Sequence, residues 1–186
     1  MKTGNMIAML IDADNVSYRN IKDMTDELAR FGNLTIKRIY GDFTKSSMNG
    51  WKDVLLENAI SPIQQYNYTT GKNATDSSMI IDAMDILYFN QVDIFCLVSS
   101  DSDFTRLAMR LREAGKEVIG MGMKKTPQPF IAACNKFVYI EVISHSLESG
   151  QVKEVSPESA SIVEKESVSP LKEGIQQQIE YVPEYN

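Results

Sequence analysis

Short apolar runs alternate with amphipathic stretches along the chain as far as about residue 142. The runs Met6 to Ile11, Thr35 to Tyr40, Pro62 to Tyr66, Asp93 to Val98, Glu117 to Met121 and Phe137 to Ile140 have strand length. Between them, Tyr18 to Phe31 carries Ile21, Met24, Leu28 and Phe31 at helical spacing and closes on Gly32. Trp51 to Asn58, Ser77 to Phe89, Phe104 to Ala114 (closed by Gly115) and Gln128 to Asn135 also predict helices. Strand and helix in alternation predict an α/β fold: a three-layer sandwich with a mainly parallel five- or six-stranded sheet and helices on both faces. Phe95-Cys96-Leu97-Val98 is apolar at consecutive positions, as a strand buried on both faces requires.

After Ile143 the pattern fails. His145 to Tyr185 is rich in Glu, Ser and Pro, repeats Val155-Ser156-Pro157 as Val168-Ser169-Pro170, and has too few apolar residues to form a core. The expected organisation is one domain over residues 1–144 and an acidic, disordered linker or tail over 145–186. Charge follows that division. Residues 1–145 hold 16 Lys and Arg against 17 Asp and Glu, the rest 3 against 8, so the net −6 belongs mainly to the tail. A near-neutral body can place a basic patch beside an acidic site, so total charge does not exclude nucleic acid. Ile175 to Tyr185 regains apolar and aromatic residues, either as solvated tail or as a peptide that docks a protein partner. Cys96 and Cys134 sit in apolar surroundings and read as packed thiols rather than a disulfide framework. No segment is long enough to span a membrane, and Met6 to Ile11 resembles a buried strand more than a secretory core, so a cytoplasmic setting is expected.

In an open parallel sheet, ligands bind beyond the carboxyl ends of the strands, where strand order reverses. Asp12-Ala13-Asp14-Asn15 follows the first strand and Ser99-Ser100-Asp101-Ser102-Asp103 the fourth, so two acidic clusters end on one edge. Asp76 adds a third acid at the start of the helix leading into the fourth strand. Asp82, about 600° further round that helix, points about 120° away from Asp76 and ranks below it. Capping alone could account for Asp103, for Asp76, and for Asp14 or Asn15. Asp12 closes an apolar strand with no helix start in capping reach. Converging carboxylates repel and raise one another's pKa unless a cation neutralises them. With one histidine, His145, and no paired-cysteine motif, a thiolate or imidazole zinc site has no material, and all-oxygen ligation fits Mg²⁺ or Mn²⁺. The same count excludes histidine-based acid–base catalysis and a Ser-His-Asp triad.

Three segments in order resemble a known family: Met6 to Asn15, Gly71-Lys72-Asn73-Ala74-Thr75-Asp76, and Leu97 to Phe104, closed by Gly120 to Lys125 and Asn135 to Tyr139. They look like the NYN domain of the LabA/limkain type, within the PIN-like nuclease superfamily, over nearly all of residues 5–143. The resemblance implies a Rossmann-like sheet and a divalent-metal ribonuclease acting on RNA phosphodiesters. Asp12, Asp76 and Asp101 match the metal-holding acids, Asp14 and Asp103 support them, and Asn15 orients a carboxylate or a water. Family members often carry a helical nucleic-acid-binding module after a linker.

Lys72, Lys124 and Lys125 are the expected phosphate contacts for single-stranded RNA, with Lys45 equally readable as a solvated surface residue. Tyr66 and Tyr68 could stack on bases or pack in a core or homodimer contact. Two other readings compete. Asp12 to Val16 resembles the opening motif of haloacid-dehalogenase-type phosphatases, although Ser99 and Asp101 share one strand end where that family uses separate ones. A non-catalytic module that binds RNA or protein is the second.

Overall fold

A computed structural model describes residues 4–66 and 74–148, with side chains to residue 144. Among these residues six strands form one sheet: β1 (Met6–Asp12), β2 (Asn33–Gly41), β3 (Ser61–Gln64), β4 (Ile94–Val98), β5 (Glu117–Gly122) and β6 (Lys136–Tyr139). Every pairing is parallel, and the order is β3-β2-β1-β4-β5-β6. The chain builds outward from β1 to β3, then crosses back to lay β4 against the other side of β1. Strand order therefore reverses between β1 and β4, where the sequence places its two acidic clusters.

Parallel strands need crossover connections, and the helices that supply them cover both faces of the sheet. They are α1 (Ile21–Leu28), α2 (Trp51–Glu57), α3 (Ala74–Phe89), α4 (Thr105–Glu113), α5 (Gln128–Ala133) and α6 (Ile140–Glu148). The two-residue alternation of a strand divides the core accordingly. Ile7, Met9, Ile11, Cys96 and Val98 pack with α1, α2 and Ile140 of α6. Ala8, Leu10, Phe95 and Leu97 point the other way, into α3, α4 and α5. Every residue of β4 is buried, as the consecutive apolar run requires.

Several boundaries differ from expectation. The helix expected over Tyr18 to Phe31 is a 3₁₀ turn, Tyr18–Asn20, capped by Ser17 and followed by the shorter α1. The helix expected from Phe104 opens with a 3₁₀ turn, Ser102–Phe104, whose cap is Asp101. It ends at Glu113, and Gly115, just past the cap residue Ala114, has a φ of +79° that accommodates the reversal. The last strand stops at Tyr139, and Ile140 opens α6, which the sequence reading missed. A run of Ile, Val and Ile reads as strand by propensity, but Ile140 and Ile143 are one helical turn apart and both pack on the α1 side of the core. The Ser144 hydroxyl also donates to Asn20 Oδ1 at 3.4 Å. Thus α6 runs across the expected boundary at residue 144, and the rest of the 145–186 segment lies outside the described residues. Among the described residues no helix is long and apolar enough to cross a membrane.

Candidate metal centre

Register places the first two acids. Ile11 pairs with Val98, so Asp12 and Ser99 are the next residues of two adjacent strands, both at the carboxyl edge. Ser99 is fully buried and Asp12 is 1% exposed. The Ser99 hydroxyl donates to Asp12 Oδ2 at 2.9 Å, the Asn15 side-chain amide donates to the same oxygen at 2.6 Å, and the Asp14 N–H donates to Oδ1 at 3.1 Å. Burial pushes the Asp12 carboxyl above its ordinary pKa, while these three donors act in the opposite direction. Asn15 therefore orients the Asp12 carboxylate. The Ser99 oxygen accepts the Asp101 N–H at 3.0 Å, so one hydroxyl joins the end of β1 to the loop after β4.

That loop approaches β5 closely. A Cβ on Gly122 would lie 2.6 Å from the Ser99 carbonyl oxygen and 2.7 Å from Thr126 Oγ1, so only glycine fits there. The Met123 N–H donates to Ser100 Oγ at 2.9 Å and fixes the two loops together.

The third acid comes from a different element, α3. Asp76 lies in the first turn of α3, which begins at Ala74 rather than at the expected Ser77, so Asp76 is inside the helix rather than capping it from outside. Carboxylate oxygens of Asp76, Asp101 and Asp103 all lie within 4.8 Å of one another. Asp12 does not belong to this group of three, and Asp103, expected in support, does. The capping role considered for Asp103 falls to Asp101 instead, whose Oδ1 accepts the Asp103 N–H at 2.9 Å.

Electrostatics follows from this crowding. Burial is the main force pushing Asp76 up to about 6, and the negative charges of Asp12, Asp101, Asp103 and Asp14 add to it. Five carboxylates thus act on one region, and three stand within the span of a single cation's ligand shell. The donor set is hard oxygen throughout, which fits Mg²⁺ or Mn²⁺ and offers nothing to a thiophilic ion. Asp76, Asp101 and Asp103 offer the oxygens that could hold such an ion, and Asp12 lies near enough for its charge to act on Asp76.

Asp82 has a different task. It accepts hydrogen bonds from Arg38 and from the buried Tyr40 hydroxyl, both on β2, and so ties α3 to the sheet. Burial and Asp82 together push the Tyr40 phenol upward, which keeps it a donor. Asp14 is exposed and lies 3.9 Å from Lys45 Nζ, a solvated pair at the rim. Lys124 and Lys125 are exposed beyond the end of β5, and the Lys124 N–H donates to Glu141 at 2.9 Å, which ties this loop to α6. Lys72 and Tyr68 lie outside the described residues. Tyr66 is half exposed just after β3.

Two polar residues of this edge escaped the sequence reading as site residues. Ser99 is the first polar residue after an unbroken apolar strand, the signal that singled out Asp12. Asp42 follows β2 in the same way. Its Oδ1 accepts from Thr44 Oγ1 at 2.6 Å and from Gln64 Nε2 at 2.9 Å, and these bonds hold its pKa below the usual carboxylate value.

Comparison with known proteins agrees with this architecture. The NYN domain family model matches residues 6–141. An uncharacterized protein of Methanocaldococcus jannaschii, MJ0482, is 27% identical over 125 residues, which is 65% of this chain and 49% of that protein. The chain therefore spans about half the length of that curated relative. A crystal structure of a protein of unknown function, VPA0982 from Vibrio parahaemolyticus, superposes with a TM-score of 0.63 at 21% identity, covering 75% of this chain and 95% of the other. At that identity the likeness concerns the fold alone.

Proposed function

The chain belongs to the NYN domain family, within a nuclease-like superfamily, and from that premise we propose that it is a divalent-metal-dependent ribonuclease that hydrolyses RNA phosphodiester bonds. The observation that carries the proposal is the convergence of Asp76, Asp101 and Asp103, from two separate elements, within 4.8 Å. A cluster of this kind, with Asp76 pushed up to about 6, is electrostatically unfavourable at neutral pH without a cation.

The chain's own residues divide the work. Asp76, Asp101 and Asp103 would hold Mg²⁺ or Mn²⁺. Asn15 and Ser99 keep the Asp12 carboxylate fixed, so the acidic edge is arranged before substrate arrives. A bound divalent ion supplies Lewis-acid polarisation of a phosphodiester and neutralises charge developing on its oxygens. Lys124, Lys125, Lys72 and Lys45 are the cations assigned to neighbouring phosphates. The surroundings of Asp12 argue against the phosphatase reading. A nucleophilic Asp12 would need an open oxygen, and the Asp12 residue is 1% exposed with both oxygens hydrogen-bonded.

The test is incubation of purified protein with labelled single-stranded RNA and Mn²⁺ or Mg²⁺, comparing wild type with Asp76→Asn and Asp101→Asn. Cleavage by wild type that falls about 100-fold or more in each variant is expected, the loss typical when one electrostatic stabiliser is removed. Undiminished cleavage in both variants would show that the activity lies elsewhere. Binding of RNA without cleavage by wild type would favour the non-catalytic module.

A further inference from the structure

Beside the acidic edge, on the α2 side of the sheet, a cavity of about 450 Å³ opens between α2 and the ends of β2 and β3. Its wall includes Phe43, Asn49, Lys52, Leu56, Pro62 and Gln64. Taking the nuclease reading as its basis, we infer that this cavity receives one base of the single-stranded RNA substrate, a few nucleotides from the bond that is cut.

Four observations support this occupant. The volume falls within the range of small-ligand pockets, so a nucleobase or nucleoside fits. The wall is mainly apolar and contains an aromatic ring, Phe43, which suits the π face of a base. Polar groups are few and oriented. Gln64 Nε2 donates to Asp42 Oδ1 at 2.9 Å while Gln64 Oε1 accepts the Phe43 N–H at 3.0 Å, so the amide is fixed with one N–H unspent in that pair of bonds. Asn49 adds a second amide and Lys52 a cation at the wall, the groups that recognise a base edge and an adjoining phosphate.

The fourth observation is continuity with the acids. Phe43 and Lys45 belong to one short loop after β2, and Lys45 Nζ reaches within 3.9 Å of Asp14. The loop therefore touches the acidic edge at one end and the cavity at the other. β3 and β4 are three strand spacings apart, about 14 Å. A short run of single-stranded RNA bridges that distance, with Lys45 under its backbone.

The experiment uses the full chain and two readouts. Binding of a labelled single-stranded oligoribonucleotide is measured in Ca²⁺ against a series of the same length, each with one abasic position; cleavage of the parent is measured separately in Mn²⁺. One abasic position should weaken binding about tenfold, consistent with loss of one stacked base. That penalty should vanish in Leu56→Glu and in Asn49→Ala, both at exposed positions whose change leaves the core intact. An abasic series that binds as tightly as the parent overturns the inference, as does a penalty that persists in both variants, or a parent that does not bind. Cleavage in Mn²⁺ with no abasic penalty removes the base site and leaves the nuclease standing. A penalty without cleavage does the reverse.

Discussion

Ser99 and Asp12, 87 residues apart in sequence, meet where strand order reverses: the Ser99 hydroxyl donates to Asp12 Oδ2 at 2.9 Å and accepts the Asp101 N–H at 3.0 Å. Both side chains are buried, so the bond between them is shielded from solvent. The pair couples the end of β1 to the position of Asp101.

Replacing Ser99 by alanine removes a donor from a buried carboxylate and an acceptor from the Asp101 N–H. A loss of about 1–3 kcal/mol in stability is expected, from the cost of leaving buried polar groups short of a partner. Urea denaturation measures it, and Mn²⁺ affinity should fall in parallel because Asp101 loses its anchor. A variant as stable as wild type with unchanged Mn²⁺ affinity would contradict the coupling.

Asp76 makes stability without metal depend on pH in a defined direction. Its folded pKa, about 6, lies above the unfolded value near 3.9, so its contribution is fully present below that lower value. It is lost as pH rises through about 6. In a chelator the wild type should therefore melt at progressively lower temperature from pH 5 to pH 7.5, more steeply than Asp76→Asn. Adding Mn²⁺ should raise Tm more at pH 7.5 than at pH 5, since protonated Asp76 is a poor ligand. Parallel profiles for the two proteins would disprove the assignment.

Asp82 predicts the converse separation. Because it joins Arg38 and Tyr40 of β2 to α3, Asp82→Ala should cost roughly 1–3 kcal/mol in stability. Mn²⁺ affinity, measured by calorimetry below the melting range, should stay within about twofold of wild type, because Asp82 bonds to Arg38 and Tyr40 and is not one of the three clustered acids. A selective loss of metal binding would place Asp82 in the site after all.

Ala59 offers a stabilising change far from the acids. It adopts φ 51°, the left-handed region, at the end of α2, where its N–H donates to Leu56 O at 3.3 Å and the Ile60 N–H donates to Leu55 O at 2.9 Å. This is a glycine-type helix stop occupied by alanine. Ala59→Gly should raise stability by up to about 1 kcal/mol, since a left-handed alanine costs about 1–2 kcal/mol and glycine gives back part of that through unfolded-state entropy. Thermal and urea melts with no gain would mean that the strain is already relieved.

The strands and the strand-end acids were legible because they depend on local apolar runs and on one topological rule, whereas the pairing of β1 with β4 was a condition of that reading that the fold supplies. Assignments that depend on where a side chain turns after the strand ends were not legible. Asp101 and Asp103 are two residues apart, and either could cap the helix that follows; only the fold shows that Asp101 is the cap and that both carboxylates stand with Asp76. Ser99 carries the same strand-end signal as Asp12, but only register sets the two side by side. The helix α6 was hidden because Ile140, Val142 and Ile143 have strand propensity, and only contact with the α1 side of the core selects helix. Asp82 could be set aside from its angular offset alone, but its partners on β2 depended on the fold.

The crossover from β3 back to β4 also fixes when the acidic site can exist. Asp12 is synthesised early, yet its Ser99 donor and the Asp101 and Asp103 carboxylates come from the far side of the returning chain. A nascent polypeptide still short of β4 has no assembled cluster, whatever its N-terminal strands have done. Whatever chemistry the site performs therefore depends on β4 and the loop after it being made and paired with β1.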